Sequence, residues 1–528
     1  MSSSTGTPSP IAAPAIDPIV YRRRWLILGS LCLCLVLVVA SVSSLNVAIP
    51  TLARELRPTD TQILWIVDAY AVVFAGLLLF AGSLGDRFGR KGALLTGLVI
   101  FAGASIACAE ASSPSMLIAF RAVMGVGASL IMPSTLSLLA SVFPPAERPR
   151  AIAIWAGFAG AGGAIGPVVS GLLLAHYWYG SVFFVAVPIA IITFVLIMVL
   201  APSSREGAST RLDPVGALLS MVGFSSLLFG IIEGPEKGWG DPVVLGGLAV
   251  AVAGLAGFVI WERRRESPML DMAFFSVPRF AMSSFGITLS FLAMFGQFFL
   301  LTQYLQYVRG YSALRAAVAG LPFAMTMIVV SPRAVLIAGR LGVRRAIVTG
   351  MCILATGLVV MSFSTGSTPY PYIVVAMVLM AGGMGMAMPS MTSGIMASIP
   401  IHKAGVGSAV NDTSREVGGA IGIALTGSIV SAIYRDGMRP LVGSLPGPLA
   451  DQVLKGVGRA QAVIGQAGGQ LDAGASAALI SDVRSSFLDG FRVAYWVIAG
   501  VILLAAGVMQ WQHPAKVELP AGGAAPGH

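Results

Sequence analysis

Apolar runs separated by short polar segments set the pattern of this chain. A run of about 20 apolar residues crosses a bilayer as a helix. The pattern predicts about fourteen such spans, near residues 25–47, 63–81, 93–109, 116–140, 149–175, 180–201, 214–233, 243–261, 279–304, 316–338, 345–364, 370–397, 405–433 and 491–511. Trp25, Trp178, Trp239, Trp261 and Trp511 fall at span ends, where indole rings favour the membrane interface. The predicted fold class is an all-α polytopic membrane protein. Residues 1–24 read as a disordered tail, 25–201 as a first six-helix half and 202–278 as a linker holding two inserted spans. Residues 279–511 read as a second six-helix half with an outer loop at 434–490, and 512–528 as a second tail.

The two halves repeat each other. Met132-Pro133-Ser134 recurs as Met388-Pro389-Ser390, and Pro144 as Pro400. Gly162-Gly163-Ala164-Ile165-Gly166 recurs as Gly418-Gly419-Ala420-Ile421-Gly422, all in one register with an offset of 256 residues. This pairs spans 4 and 5 with spans 12 and 13. Parallel repeats about an axis along the membrane normal, with substrate near the midplane, form a transporter architecture.

Composition excludes more than it assigns. Apolar residues make up 56% of the chain and charged residues 11%, against roughly 25% charged in soluble domains. The net charge of +10 is no sign of nucleic acid, because the cations cluster in short loops. With the N-terminus inside, roughly nineteen cations fall in inner segments and five in short outer loops, so the positive-inside rule places both termini in the cytoplasm. The four cysteines lie in apolar runs without a C-x-x-C pair, and the four histidines form no metal motif, so no metal is expected. No G-x-x-x-x-G-K-[ST] loop is present, so ATP is not the expected energy source.

The loop between spans 2 and 3 reads GSLGDRFGRK, residues 82–91. Gly82, Gly85 and Gly89 permit tight turns and close helix approach. Asp86 stands among the cations Arg87, Arg90 and Lys91. It can cap a helix N-terminus or pair with an arginine of another helix. Either contact exists in only one arrangement of the helices, so it can act as a latch. A degenerate echo without the acid, Gly339-Arg340-Leu341-Gly342-Val343-Arg344-Arg345, lies between spans 10 and 11.

The loop resembles the signature G-x-L-a-D-r-x-G-r-k of the major facilitator superfamily, with Gly82, Leu84, Asp86, Arg87, Gly89, Arg90 and Lys91 at its principal positions. Span 5 carries Gly162-x-x-x-Gly166-Pro167-x-x-Ser170-Gly171, which resembles the antiporter motif G-x-x-x-G-P-x-x-G-G with one glycine replaced. Tight helix packing and a watertight hinge between the halves both fit this stripe. Arg121-Ala-Val-Met124-Gly125-Val-Gly127 in span 4 resembles R-x-x-Q-G-x-G, whose arginine is tied to proton coupling; Met124 replaces the glutamine. The stretch Gly405–Gly419 resembles span 13 of the fourteen-span drug:proton antiporters, and segments around Asp213, Glu262, Pro268 and Gln306 resemble the same branch. The resemblance implies a major facilitator fold of two parallel six-helix halves.

Acids within spans can carry protons, since a proton or a cation neutralises them. Asp68 in span 2 and Asp412 and Glu416 on one face of span 13 are the candidates, with Arg121 beside them in the coupling set. Arg415, three residues from Asp412, also fits as a plain ion-pair partner. In the branch pattern L-D-x-T-x-V-N-V-A-L-P of span 1, Ser41 replaces the acid while Asn46, Ala48 and Pro50 fit. Ser41, Asn46, Trp65, Tyr70, Trp155, Phe295, Gln297 and Phe298 are the candidate substrate-pocket residues; aromatic rings there suit cations or flat dyes.

The resulting expectation is a secondary transporter in the cell membrane, not an enzyme. It exports amphipathic, cationic or multidrug-type compounds in exchange for protons, as a monomer with no other cofactor. Its expected partners are a drug-like small molecule and membrane lipid, without nucleic acid. Export of one endogenous metabolite, or a transport-inactive receptor of the same fold, fits the same sequence.

Overall fold

The computed structural model describes residues 17–203, 213–442, 447–466 and 473–514. Fourteen helices among them are long and apolar enough to cross a membrane. Spans 1–6 are Pro18–Glu55, Asp60–Phe88, Arg90–Ala109, Pro114–Val142, Arg148–Leu174 and Ser181–Leu200. Spans 7 and 8 are Pro214–Lys237 and Pro242–Arg264. Spans 9–14 are Pro278–Val308, Ala313–Leu341, Val343–Ser362, Tyr370–Ala397, Ala404–Met438 and Ala473–Gln512.

Two predicted boundaries shift. Span 1 begins at Pro18, not near residue 25, because the Asp17 carboxylate accepts from the backbone N–H of Ile19 at 2.7 Å and proline starts the first turn. Residues 17–24 are therefore not a tail; residues 1–16 lie outside the described set. The outer segment 434–490 is largely helical. Span 13 runs on to Met438, Gly447–Leu454 and Val457–Gln466 form two short helices, and the span 14 helix already starts at Ala473. The Tyr434 hydroxyl donates to the Val453 carbonyl at 2.9 Å and Gln461 donates to the Tyr307 carbonyl at 2.8 Å, so these helices dock on spans 13 and 9. Residues beyond 514 lie outside the described set.

The internal repeat is visible as packing. Gly162 lies against Val36 and Val39 of span 1, and Gly166 against Ala40 and Ser43. In the second half Gly418 lies against Thr288 and Gly422 against Leu292 of span 9. Each glycine pair lets span 5 on span 1, or span 13 on span 9, approach backbone to backbone, where small residues favour helix association in lipid. The echo of the loop motif is also structural. Gly89 (φ +105°) joins span 2 to span 3, and Gly342 (φ +83°) joins span 10 to span 11, each as a one-residue connection. A side chain there would be strained by the left-handed backbone.

Inserted span 7 packs beside both halves, and span 8 packs on span 7. Ser225 in span 7 donates to the Val72 carbonyl of span 2 at 3.2 Å, and Trp239 donates to Ser428 of span 13 at 3.1 Å. Asp213 caps span 7 through the N–H of Gly216 at 2.9 Å and accepts from the Trp261 indole at 2.8 Å, which ties the base of span 8 to it. Where span 5 begins, Arg24 donates to Glu147 at 2.7 Å. That hydrogen bond holds the Glu147 carboxyl below the usual carboxylate range. The tie is present at neutral pH and is lost only as pH falls through that lowered value.

Spans 3 and 4 meet at a second glycine contact. A Cβ added at Gly127 would lie 2.7 Å from the Phe101 backbone nitrogen and 2.9 Å from the Gly97 carbonyl oxygen. Gly127→Val is therefore expected to destabilise the first half by about 1–3 kcal/mol. A fall of several degrees in the Tm of the purified protein checks this; an unchanged Tm contradicts it.

Candidate transport site

The site begins at the loop motif. Helix 13 starts at Ala404 without a side-chain cap of its own, so its first N–H groups need acceptors. Asp86, from the other half, supplies them: Oδ1 accepts from Gly405 N–H at 2.9 Å and Oδ2 from Val406 N–H at 3.1 Å. Arg90 pairs with Asp86 at 3.2 Å and donates to the Ile401 carbonyl. Lys91 donates to the Met198 and Ala201 carbonyls at 2.8 and 2.7 Å, at the C-terminal end of span 6. Arg87 is exposed and lies over Phe88. The contact needs glycine on both helices. A Cβ at Gly82 would fall 2.6 Å from the Gly405 carbonyl oxygen, and one at Gly405 would meet the Asp86 carboxylate at 2.8 Å. Gly85 makes only ordinary contacts with Ser134 and Ala93. Both roles open to Asp86 are filled: it caps span 13 of the other half and pairs with Arg90, the first residue of span 3.

The span 5 glycines divide into two sets. Gly162 and Gly166 pack within the first half against span 1, which corrects the expectation that this pair forms the hinge between halves. Gly171 faces Leu314 of span 10, where an added Cβ would fall 2.7 Å from the leucine side chain, and Gly157 and Gly160 face Met327. Ser331 of span 10 donates to the Ala153 carbonyl of span 5 at 2.6 Å. The glycine face of span 5 toward span 10 of the other half is therefore Gly157, Gly160 and Gly171, all in the sequence stripe but not separable by spacing. Pro167 lies inside the helix, half-buried.

A polar chain runs through the middle of the bundle. Arg121 is fully buried and donates to the Ile66 carbonyl at 3.0 Å and the Val67 carbonyl at 3.4 Å in span 2. Its guanidinium also lies over the Tyr70 ring, 4.6 Å from the centroid, and the Met124 sulfur sits 3.8 Å away, where the resemblance leads one to expect a glutamine. Asp68 acts on Arg121 electrostatically. Tyr70 is within electrostatic reach of both Arg121 and Glu416, and its hydroxyl is buried without a hydrogen bond. Tyr70 thus stands between the arginine of the first half and the acid of the second.

In span 13, Arg415 pairs with Asp412 at 3.4 Å, and Asn411 donates to the same oxygen at 3.3 Å. The second oxygen of Asp412 is buried without a partner. Glu416 makes no hydrogen bond or ion pair among the described residues. Arg415 is also held between two rings, Phe291 of span 9 at 4.7 Å and Trp155 of span 5 at 5.6 Å. Trp155 is fully buried, and its indole donates to Thr135 at 3.2 Å. The plain Asp412–Arg415 pair is therefore present, but the cation also bridges the two halves through aromatic faces. Residue spacing gave no sign of that second role.

The remaining pocket candidates scatter. Gln297 is buried with neither amide atom partnered, and Phe295 lies against Gly419 of span 13. Phe298 packs edge-on against Phe323 of span 10. Ser41 donates to the Leu37 carbonyl of its own helix at 2.8 Å. Trp65 stacks on Phe229 of the inserted span 7 at 5.9 Å. That contact turns it toward the hairpin, and corrects its grouping with the central residues. The side chain of Asn46 lies outside the described set.

Two six-helix halves, latched at one end and meeting at a buried polar chain, define a polytopic membrane transporter. Comparison with known proteins gives the family. The Major Facilitator Superfamily model matches residues 31–423, and the chain belongs to that family. It is 34% identical over 505 residues to the "Multidrug efflux pump LfrA" of Mycolicibacterium smegmatis, covering 96% of this chain and 98% of the relative. It is 31% identical over 507 residues to the "Tetracenomycin C resistance and export protein" of Streptomyces glaucescens, covering 94% and 93%. Among solved structures it resembles the human organic anion transporter MFSD10 in fold, with a TM-score of 0.61 at 15% identity over 94% of this chain and 100% of that one.

Asp86 joins an anion to a helix N-terminus, an interaction worth up to about 2 kcal/mol when partly buried. Asp86→Asn removes the charge and keeps the shape. It is expected to raise the unlatched population about five- to thirtyfold. Spin labels at the exposed positions Phe88 and Ile401 read this as growth of the longer-distance population; an unchanged distribution contradicts the latch.

Proposed function

We propose that this protein exports amphipathic, cationic or multidrug-type organic compounds across the cell membrane in exchange for protons, by alternating access. The relatives support the export of drugs: one is named a multidrug efflux pump, another a multidrug resistance protein, and others for resistance to single antibiotics. The observation that carries the coupling is Glu416, an intramembrane carboxylate without a hydrogen bond or ion pair among the described residues and within electrostatic reach of Tyr70 of the other half. A charged, unpaired carboxylate is costly in low dielectric, and either a proton or an organic cation removes that cost. One site then takes the two in turn, which is the requirement for exchange.

Span 13 connects this site to the latch. Asp412 lies eight residues from the helix start capped by Asp86, about 12 Å along the axis. When a proton arrives at Asp412 or Glu416, the hold on Arg415 weakens, and Arg415 is the group that touches rings of both halves. A rigid helix transmits the resulting tilt to its capped end. Cytoplasmic termini place the latch inside, so protons reach the acids from the outer side while the latch is closed. Ser41, bonded to its own helix, offers no carboxylate, so the coupling rests on Glu416 and Asp412 with Asp68 beside Arg121.

Ethidium accumulation in inside-out vesicles under an imposed proton gradient tests this. Wild-type protein is expected to accumulate the dye and to stop when an uncoupler is added. Glu416→Gln is expected to lose gradient-driven accumulation by about tenfold or more, while equilibrium dye exchange across the two sides persists. Gradient-driven transport at the wild-type rate by the Asp412→Asn/Glu416→Gln double variant would overturn the coupling assignment. Relatives named for tetracenomycin C and methylenomycin A favour a second reading, export of one natural product. It is supported if ethidium does not move in well-inserted protein while one antibiotic does.

A further inference from the structure

The second half has unpaired cations where the first half has paired ones. In the first half, Lys91 at the start of span 3 donates to carbonyls ending span 6, and Arg24 in span 1 pairs with Glu147. In the second half, Arg279 opens span 9 and Arg344 opens span 11. Neither makes a hydrogen bond or ion pair among the described residues, and the Nε of each is buried. His513 ends span 14 and is only 2% exposed. Its Nδ1 faces the Pro514 carbonyl at 3.1 Å, and its Nε2 is buried without a partner. Both arginines act on His513 electrostatically. Spans 9 and 11 both pack on span 14. Burial, and after it those two charges, hold the His513 pKa below the ordinary histidine value against the opposing pull of the Pro514 carbonyl.

Two further features converge on this cluster. Spans 9 and 11 both begin without a side-chain cap, so their first N–H groups add to an anion-attracting field. Exposed apolar side chains flank it in sequence: Val277 just before span 9, Leu341 at the end of span 10, and Trp511, 82% exposed, near the end of span 14. A soluble anion has no use for such a border, whereas a lipid has acyl chains to lay along it.

We propose that Arg279, Arg344 and His513 form a binding site for the phosphate headgroup of an anionic phospholipid, in the leaflet on the same side as the loop motif. Arginine guanidinium groups suit phosphate oxygens through paired N–H donors. Because Nδ1 faces a carbonyl, it carries the ring proton of the neutral imidazole, so Nε2 must take up a second proton to donate to the phosphate. The groups acting on this ring are Arg279 from span 9 and Arg344 from span 11, both permanently charged. Lipid binding is therefore coupled to His513 and tightens as pH falls from about 7.5 to about 5.5.

The test uses the full-length protein in phosphatidylcholine nanodiscs doped with phosphatidylglycerol, with bound lipid counted by native mass spectrometry. Wild type is expected to retain phosphatidylglycerol over phosphatidylcholine. Arg279→Gln/Arg344→Gln is expected to bind it about thirtyfold more weakly, about fivefold per cation. Arg340→Gln/Arg345→Gln removes the same charge from exposed positions of the same loop and is expected to retain the lipid. His513→Gln is expected to abolish the pH dependence. Should the double variant not insert, Arg344→Gln alone carries the comparison. Equal losses in both double variants would reduce the effect to bulk surface charge and overturn the site. Competition by inorganic phosphate alone at millimolar concentration would assign the cluster to a free anion and overturn the lipid source. Selective lipid binding that appears only after removal of residues 515–528 would do the same in favour of the tail.

Discussion

One carboxylate governs the relation of the two halves. Asp86 accepts hydrogen bonds from two consecutive N–H groups at the start of span 13. These are the groups a helix leaves unsatisfied, and the macrodipole concentrates partial positive charge there. Burial makes the contact both stronger and harder to give up, since breaking it exposes an uncapped helix and a charge. Arg90 reinforces it by bonding Oδ1, the oxygen that also accepts from Gly405, and by donating to the Ile401 carbonyl. The anion, its cation and the capped helix form one hydrogen-bonded unit across the two halves.

Glycine makes that unit reachable. Spans 2 and 13 meet at Gly82 and Gly405 with no side chain between them, so the Asp86 carboxylate lies within hydrogen-bond distance of the helix end. The same device recurs where span 5 meets span 1 and where span 13 meets span 9. In lipid, close backbone approach substitutes for the hydrophobic drive that would hold helices together in water. The glycines of span 5 do two things at once. One pair fixes the helix within its half, while Gly157, Gly160 and Gly171 leave a smooth face toward span 10.

The polar chain in the middle follows from the cost of burying charge. Arg121 meets it with carbonyls of span 2 and the face of Tyr70. Arg415 meets it with Asp412 and two aromatic rings. Glu416, half-buried, has no direct partner among the described residues, and Tyr70 of the other half lies within its electrostatic reach. A carboxylate without a direct partner therefore lies at the junction of the two halves, an electrostatic deficit within the bundle. The span 13 helix carries that deficit near its middle and the latch at its end.

The sequence by itself determined the spans, the repeat and the motifs, because each rests on local chemistry. Apolar length decides membrane crossing, a gapless register reveals duplication, and the run of glycines and charges from Gly82 to Lys91 can be read without coordinates. It also marked Asp86 as a cap or a pair partner, and Arg415 as a partner of Asp412. Only the tertiary structure decided which helix Asp86 caps, because that partner lies more than 300 residues away in sequence. Only tertiary packing separated Gly162 and Gly166 from Gly171, turned Trp65 onto Phe229, and set Arg415 between Phe291 and Trp155. The placing of Tyr70 within electrostatic reach of Glu416, and the arginines near His513 that have no partner among the described residues, belong to the same group. Each depends on which faces of distant helices meet, and helical spacing fixes a face without naming what lies opposite.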